Sequence, residues 1–272
     1  MKLTTITRTA VRDVNAELFQ PFTISSGSHK RLENVLLGVR TKEGVWGWGE
    51  AAVAPHITGE TREQTSLNLQ KTAAWLEGRD LADYAGLLTG LEGRLEGNRC
   101  ALAAAGMAIL DALTRSLKIP LWRLYGGRPS KIRTDITVVI GTEAQAYEFT
   151  ARMRKRGFSI FKIKTGSDMD SDFRRIAAVR RAAPKAEIYL DFNGAYDAPA
   201  AERFTAALER TGVIPGVIEQ PVARDDHDGL GYLSRKLKVP VCADESAYSV
   251  ADVVGLIKKK QVTAVNIKLA KF

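Results

Sequence analysis

The chain is poor in cysteine and has neither a long apolar run nor a hydrophobic leader, and each scarcity closes off a class of protein. Two cysteines, Cys100 and Cys242, stand far apart among 272 residues, in neither a metal-ligand nor a redox spacing. They read as buried thiols, and disulfides drop out of the argument. No stretch approaches the roughly 18 apolar residues of a membrane span, and the N-terminal "MKLTTITRTAVRDV" lacks the apolar core of a signal peptide. The expectation is a cytoplasmic protein with no membrane partner. A formal charge of +9 raises nucleic acid as a partner. Against it, the basic residues are scattered, and their densest cluster, "IKKKQ" at 257–261, suits a helix C-terminus, where cations complement the dipole. A solvated basic surface without nucleic acid is the better expectation.

With 45% hydrophobic and 26% charged residues, the chain has the material for one large or two smaller domains with a sizeable core. Its opening part, "KLTTITRTAVR" and "ENVLLGVRTKEGVWGWGEA", alternates like strands of an antiparallel sheet turning at "KEG". From Thr61 to about Lys118 the spacing becomes helical until Pro120, and "YGGRPS" at 125–130 reads as a linker. Gly27, Gly47 and Gly49 are expected at turns and strand bends. Beyond the linker, strand and helix patterns alternate through six strand candidates, which calls for a parallel sheet with right-handed crossovers.

Ionisable residues end the strands: Lys162 and Lys164, then Asp191, Glu219, Asp244 and Lys268, separated by 27, 28, 25 and 24 residues from Lys164 onward. Such a recurrence places one charge at the same point of every strand-helix unit. In a barrel these ends surround one mouth, where the charges converge. Burial is unfavourable unless they pair or bind a metal. The fold class expected is therefore α/β, an incomplete (β/α) barrel of the TIM type in residues 126–272, preceded by a separate α+β domain in residues 1–125.

Asp191, Glu219 and Asp244 are hard oxygen donors whose mutual repulsion a divalent cation would relieve, Mg²⁺ first and Mn²⁺ as an alternative. Lys162 and Lys164 share one face of their strand. A lysine from the second strand and Lys268 from the sixth would face each other over a bound ligand. A lysine beside a cation has reason to release its proton and act as a base. The chemistry expected is proton abstraction next to a carboxylate, with the metal stabilising the enediolate and the second lysine returning the proton on the opposite side.

"KIK" at 162–164, "DFN" at 191–193, "IEQP" at 218–221, "ADES" at 243–246 and "NIKLAK" at 266–271 resemble the successive strand motifs of the enolase superfamily, muconate lactonising subgroup. "AAAGMAILDALTRSLKIPLWRLYGG" is similar to the helix that leads from that family's capping domain into its barrel. The resemblance implies Asp191, Glu219 and Asp244 as Mg²⁺ ligands and Lys164 and Lys268 as paired acid/base catalysts. It also implies Lys162 as an electrostatic helper, Asn193 as a supporting group, with a turn before Gly194 as its alternative, and Thr137 near the substrate carboxylate. "TDITVVIGT" and "NIKLAK" look most like dipeptide epimerases acting on L-Ala-D/L-Glu, so the partner implied is a small carboxylate, a dipeptide. Muconate cycloisomerases, o-succinylbenzoate synthases, N-succinylamino acid racemases and a non-catalytic barrel fragment stay open, as does a homo-oligomer. Specificity in this family comes largely from a capping-domain loop, here residues 20–30, and from the last strand. His29 and His56 are expected to be solvated. Because the sequence stops four residues after Lys268, with six of a barrel's eight strands in view, it is expected to be a piece of a longer protein.

Overall fold

Alternation in "ENVLLGVRT" turns one face of its strand inward, and Val35, Leu37 and Val39 are fully buried. In the computed structural model, which describes residues 3–24, 27–128, 130–166 and 168–271 apart from the side chains of Gln20, Ile24, His56 and Ile57, that strand is central to a three-stranded sheet. The sheet runs in the order β1 (Ile6–Ile24), β2 (Gly27–Thr41), β3 (Trp46–Ala51). Strands β2 and β3 are antiparallel, joined at "KEG", where Gly44 takes φ +89°. The described residues of 20–30 depart from the expected loop: β1 continues to Ile24 and β2 resumes at Gly27. The Thr23 and Ser28 hydroxyls lie 2.9 Å apart across this extension. Pairing within a ribbon gives backbone groups the partners a loop would have to find elsewhere.

The helices that follow are α1 (Pro55–Thr58), α2 (Arg62–Leu76), α3 (Tyr84–Arg94), α4 (Arg99–Ser116) and the short α5 (Leu121–Leu124). Glu60 supplies the cap that α4 lacks from its own Asn98: its carboxylate accepts from the backbone N–H groups of Arg99 at 2.8 Å and Cys100 at 2.9 Å. Negative charge suits that end of the helix dipole. Gly47 and Gly49 are not bends but points of closest approach. They lie inside β3, and a methyl group on Gly47 would overlap the backbone of Ala112, one on Gly49 that of Ala104. Ala104, Ala108 and Ala112 recur every four residues on the facing side of α4, all fully buried, so helix and strand meet almost backbone to backbone.

The remaining elements alternate: β4 (Ile136–Val138), α6 (Glu143–Lys155), β5 (Ile160–Lys164), α7 (Met169–Ala182), β6 (Glu187–Asp191), α8 (Ala198–Arg210), β7 (Val217–Glu219), α9 (His227–Lys236), β8 (Val241–Ala243), α10 (Val250–Lys258) and β9 (Ala264–Val265). Every helix after β4 begins on a side-chain cap, Thr142, Asp168, Asp197, Asp226 or Ser249, each accepting from the N–H three residues on. The basic cluster at 257–261 closes α10, as the dipole argument expects.

The six strands are parallel and lie side by side in chain order, β4 to β9. An open doubly wound sheet reverses its strand order at a switch point; uninterrupted order is the arrangement of a barrel wall. Ile163, Leu190 and Ile218 belong to the apolar core of this part, while alternate residues on the same strands are free to point to the opposite face.

Two units make up the chain. Met1–Leu18, Arg31–Lys131 and Lys268–Phe272 form one; Phe19–Lys30, the hairpin tip, joins Ile132–Ile267 in the other. Both cysteines are buried and free.

Candidate active site

Strand register sets the site. Lys164 is paired with Asp191, and Asp191 with Glu219, so three charged side chains line up across β5, β6 and β7. Thr137 is paired with Lys162 one strand earlier. The two lysines of "KIK" converge on one atom: Lys162 Nζ lies 2.8 Å and Lys164 Nζ 2.7 Å from Asp191 Oδ2. Lys162 also reaches both carboxylate oxygens of Glu219, each at 2.8 Å. Asp191 is wholly buried, and Glu219 and Lys164 are each 8% exposed.

Burial opposes charge on Asp191, but the ammonium groups of Lys164 and Lys162 outweigh it and hold the carboxyl below its usual range. Lys162 is likewise kept firmly protonated: desolvation pulls it down, and Asp191 and Glu219 more than reverse that. Glu219 goes the other way. Burial first, then the charge of Asp191, with Asp244 adding, pushes it up to about 7.

Asp244 follows β8 by one residue, and its backbone N–H donates to Gln220 Oε1 at 3.0 Å. The N–H of Ser246 donates to the same oxygen at 3.1 Å, and Gln220 Nε2 donates to Ser246 Oγ at 2.8 Å. Gln220 is fully buried with its backbone at φ +36°, and its side chain clamps the backbone on both sides of Glu245. Asn193 takes φ +44° in the turn after β6. It turns the chain, and its side chain accepts from Lys164 Nζ at 3.0 Å and donates to Glu245 Oε1 at 3.0 Å. Behind β5, Arg175 Nη1 donates to the carbonyl of Lys164 at 2.6 Å and pairs with buried Asp172.

Gln220, Glu245, Arg175 and Asn266, whose Nδ2 donates to Glu219 Oε1 at 2.8 Å, escape the sequence reading. Gln220 and Glu245 sit inside "IEQP" and "ADES" beside the ligand candidates, and Asn266 shares strand parity with Lys268, which was the signal available for it. Lys268 lies three residues past β9, in the first unit. There Lys268–Lys271 line a cavity of about 480 Å³ with Asn34, Glu50, Cys100 and Met107. In the second unit the hairpin tip lines a smaller cavity of about 280 Å³, with Pro21 and Thr23 facing Val138–Gly141 and Gln145, and Ile140 N–H donates to the Thr23 carbonyl at 3.1 Å. His29 is half-buried on β2; the side chain of His56 lies outside the described residues.

Among the described residues no three His, Cys, Asp or Glu side chains stand ready to grip a cation. The ammonium of Lys162 bridges Asp191 and Glu219. The donor chemistry nevertheless fits a hard divalent ion. The carboxylates Asp191, Glu219, Asp244 and Glu245 gather at consecutive strand ends, all donors are oxygen, and each of Glu219 and Glu245 is disfavoured as an anion by burial and by its carboxylate neighbours.

Residues 6–126 match the mandelate racemase/muconate lactonizing enzyme N-terminal domain, and residues 145–272 the enolase C-terminal domain-like family. A hydrophobic dipeptide epimerase of Citrifermentans bemidjiense is 41% identical over 95% of this chain and 72% of its own length. An L-Ala-D/L-amino acid epimerase of Populus trichocarpa is 35% identical over 98% of this chain and 65% of its own. The crystal structure of a dipeptide epimerase from Enterococcus faecalis, complexed with Mg and the dipeptide L-Leu-L-Tyr, matches with a TM-score of 0.92 at 29% identity, covering 98% of this chain and 75% of that one. The chain thus spans about two thirds to three quarters of the relatives it matches. Its sequence and its parallel, consecutively ordered sheet together make it a member of the enolase superfamily, built from mandelate racemase/muconate lactonizing N- and C-terminal domains.

Proposed function

We propose that this chain carries the cap and catalytic strands of a Mg²⁺-dependent dipeptide epimerase acting on L-Ala-D/L-Glu or a related dipeptide. The observation that carries the reading is the convergence of Lys162 and Lys164 on Asp191 Oδ2 within a row of strand-end carboxylates. Relatives named as dipeptide epimerases support it, and the match to an epimerase complexed with Mg and a dipeptide supports the choice of cation.

In this reading Asp191, Glu219 and Asp244 hold the cation, for which Mn²⁺ would also serve. When bound, the cation would supply Lewis-acid stabilisation of the negative charge that develops on the substrate. Lys162, kept protonated by Asp191 and Glu219, contributes positive charge beside the substrate carboxylate, with Thr137 near it. Lys164 takes the α-proton from one face. Inversion requires a second group to deliver a proton to the other face, and the resemblance gives that part to Lys268. Asn193 steadies Lys164, and the capping part comprises residues 1–125.

The test is proton NMR of L-Ala-L-Glu and of hydrophobic dipeptides in D₂O with Mg²⁺, alongside an N-succinylamino acid. Loss of the α-proton signal with appearance of the epimer, for dipeptides and not for the succinylated compound, is expected. It should stop on chelation and resume when Mg²⁺ is restored. No exchange with any dipeptide would sink the reading.

A further inference from the structure

Asn193 stands between Lys164, which donates to it, and Glu245, which as a carboxylate only accepts. Lys164 Nζ donates to its Oδ1 at 3.0 Å, and its Nδ2 donates to Glu245 Oε1 at 3.0 Å. A carboxylate offers no donor, whatever the protonation state of the lysine. While residue 245 is a carboxylate, the Asn193 amide is therefore held one way round, oxygen toward the lysine.

We propose that Glu245 is a positioning residue for Lys164, acting through the carboxamide of Asn193; this rests on reading Lys164 as a base. With Asn193 so held, Lys164 has two fixed acceptors, Asp191 Oδ2 at 2.7 Å and Asn193 Oδ1 at 3.0 Å. A neutral lysine amine has two N–H bonds and one lone pair. With both N–H directions taken, the lone pair occupies the remaining tetrahedral direction and is aimed before substrate arrives, which lowers the entropic part of the barrier.

Glu245 is itself firmly mounted. The N–H groups of its neighbours Asp244 and Ser246 both donate to Gln220 Oε1, and the Asn193 turn is fixed by its own N–H on Asp191 Oδ1 at 3.1 Å. The second oxygen of Glu245, Oε2, is buried with no hydrogen-bond partner.

Glu245→Gln is the incisive variant because it keeps the shape while giving residue 245 a donor, so that Asn193 is free to flip. Exchange of the substrate α-proton would be followed in D₂O from each epimer separately, the epimer served by Lys164 being the one whose exchange Lys164→Ala removes. Glu245→Gln should slow exchange of that epimer about tenfold with KM within about twofold, and leave the other epimer unchanged. Asn193→Ala should show the same one-sided loss, and the double variant should be no worse than Asn193→Ala. Equal loss from both epimers, or losses that multiply in the double variant, would overturn the proposal. The second arm needs no turnover. In ¹⁵N-labelled protein the Asn193 side-chain amide signals, identified by their absence in Asn193→Ala, should shift and exchange faster with water in Glu245→Gln. Unchanged signals refute the contact. If the wild-type chain exchanges no dipeptide at all, the epimerase reading is what fails, and the amide signals still decide whether Glu245 holds Asn193.

Discussion

Lys162 and Lys164 donate to the same oxygen, Asp191 Oδ2, at 2.8 and 2.7 Å. Two ammonium groups on one wholly buried carboxylate make Asp191 the electrostatic keystone of the second unit, since removing it leaves two like charges facing each other in a medium that screens them poorly.

Asp191→Asn is accordingly expected to destabilise the protein by about 3–5 kcal/mol, the cost of breaking a buried pair by deleting one partner. The urea midpoint should fall at unchanged slope. A Lys164→Met/Asp191→Leu double variant should recover part of the loss, because Lys162 keeps Glu219 as its partner and no ammonium is then left unpaired.

Lys164→Ala should reduce epimerisation by at least about a thousandfold, within the range for a lost general base, as followed by the appearance of the second diastereomer. Mg²⁺ binding, read by calorimetry, should persist. Retention of near-normal turnover would exclude Lys164 as a base.

The contact between β3 and α4 predicts a stability effect far from any charge. Gly49→Ala drives a methyl group into the Ala104 carbonyl, and overpacking of this kind costs about 1–3 kcal/mol or more. Gly59→Ala, where no atom lies within 4 Å of the added methyl but φ is +74°, should show only the smaller cost of its backbone conformation. Thermal melts of the two variants side by side separate collision from backbone preference.

Cys100 gives a pH signature. Burial, and then the neighbouring Glu60 carboxylate, push its thiol up from 9.0 to about 12. A group with a raised folded value stays protonated in the native state after the unfolded chain has lost the proton. Its contribution is therefore complete below pH 9.0 and declines as pH climbs toward about 12, by about 1.4 kcal/mol per pH unit. Cys100→Ala should be flatter than wild type over that window in denaturant titrations, and an identical slope would contradict the account.

The six strands of the second unit were readable because their apolar periodicity and recurring charges carry the same message, and the structure places all six in that order. The N-terminal sheet was readable from "ENVLLGVRT" and "KEG" for a similar reason. What eluded the sequence is long-range. Residues 20–30 look like a loop because Pro21 and Gly27 are turn residues by composition, yet both lie in strands, where pairing overrides that preference. Gly47 and Gly49 pass for bends until α4, more than fifty residues on, is seen to lie against them. Gln220 and Glu245 are polar residues beside stronger candidates, and their importance comes from partners 24 and 52 residues away. The expected charges themselves were visible, but Asp244 and Lys268 stand past the ends of β8 and β9 rather than on them.

The close seating of α4 on β3 also bears on how this protein and its relatives exchange parts. Glycines at 47 and 49 and alanines at 104, 108 and 112 are complementary halves of one surface, separated by a long stretch of intervening sequence. A chimaera joined anywhere between Ala51 and Arg99 brings a strand from one parent against a helix from another. Such hybrids should fold only when both parents supply side chains of matching size at these five positions, so recombination breakpoints are best placed outside that interval.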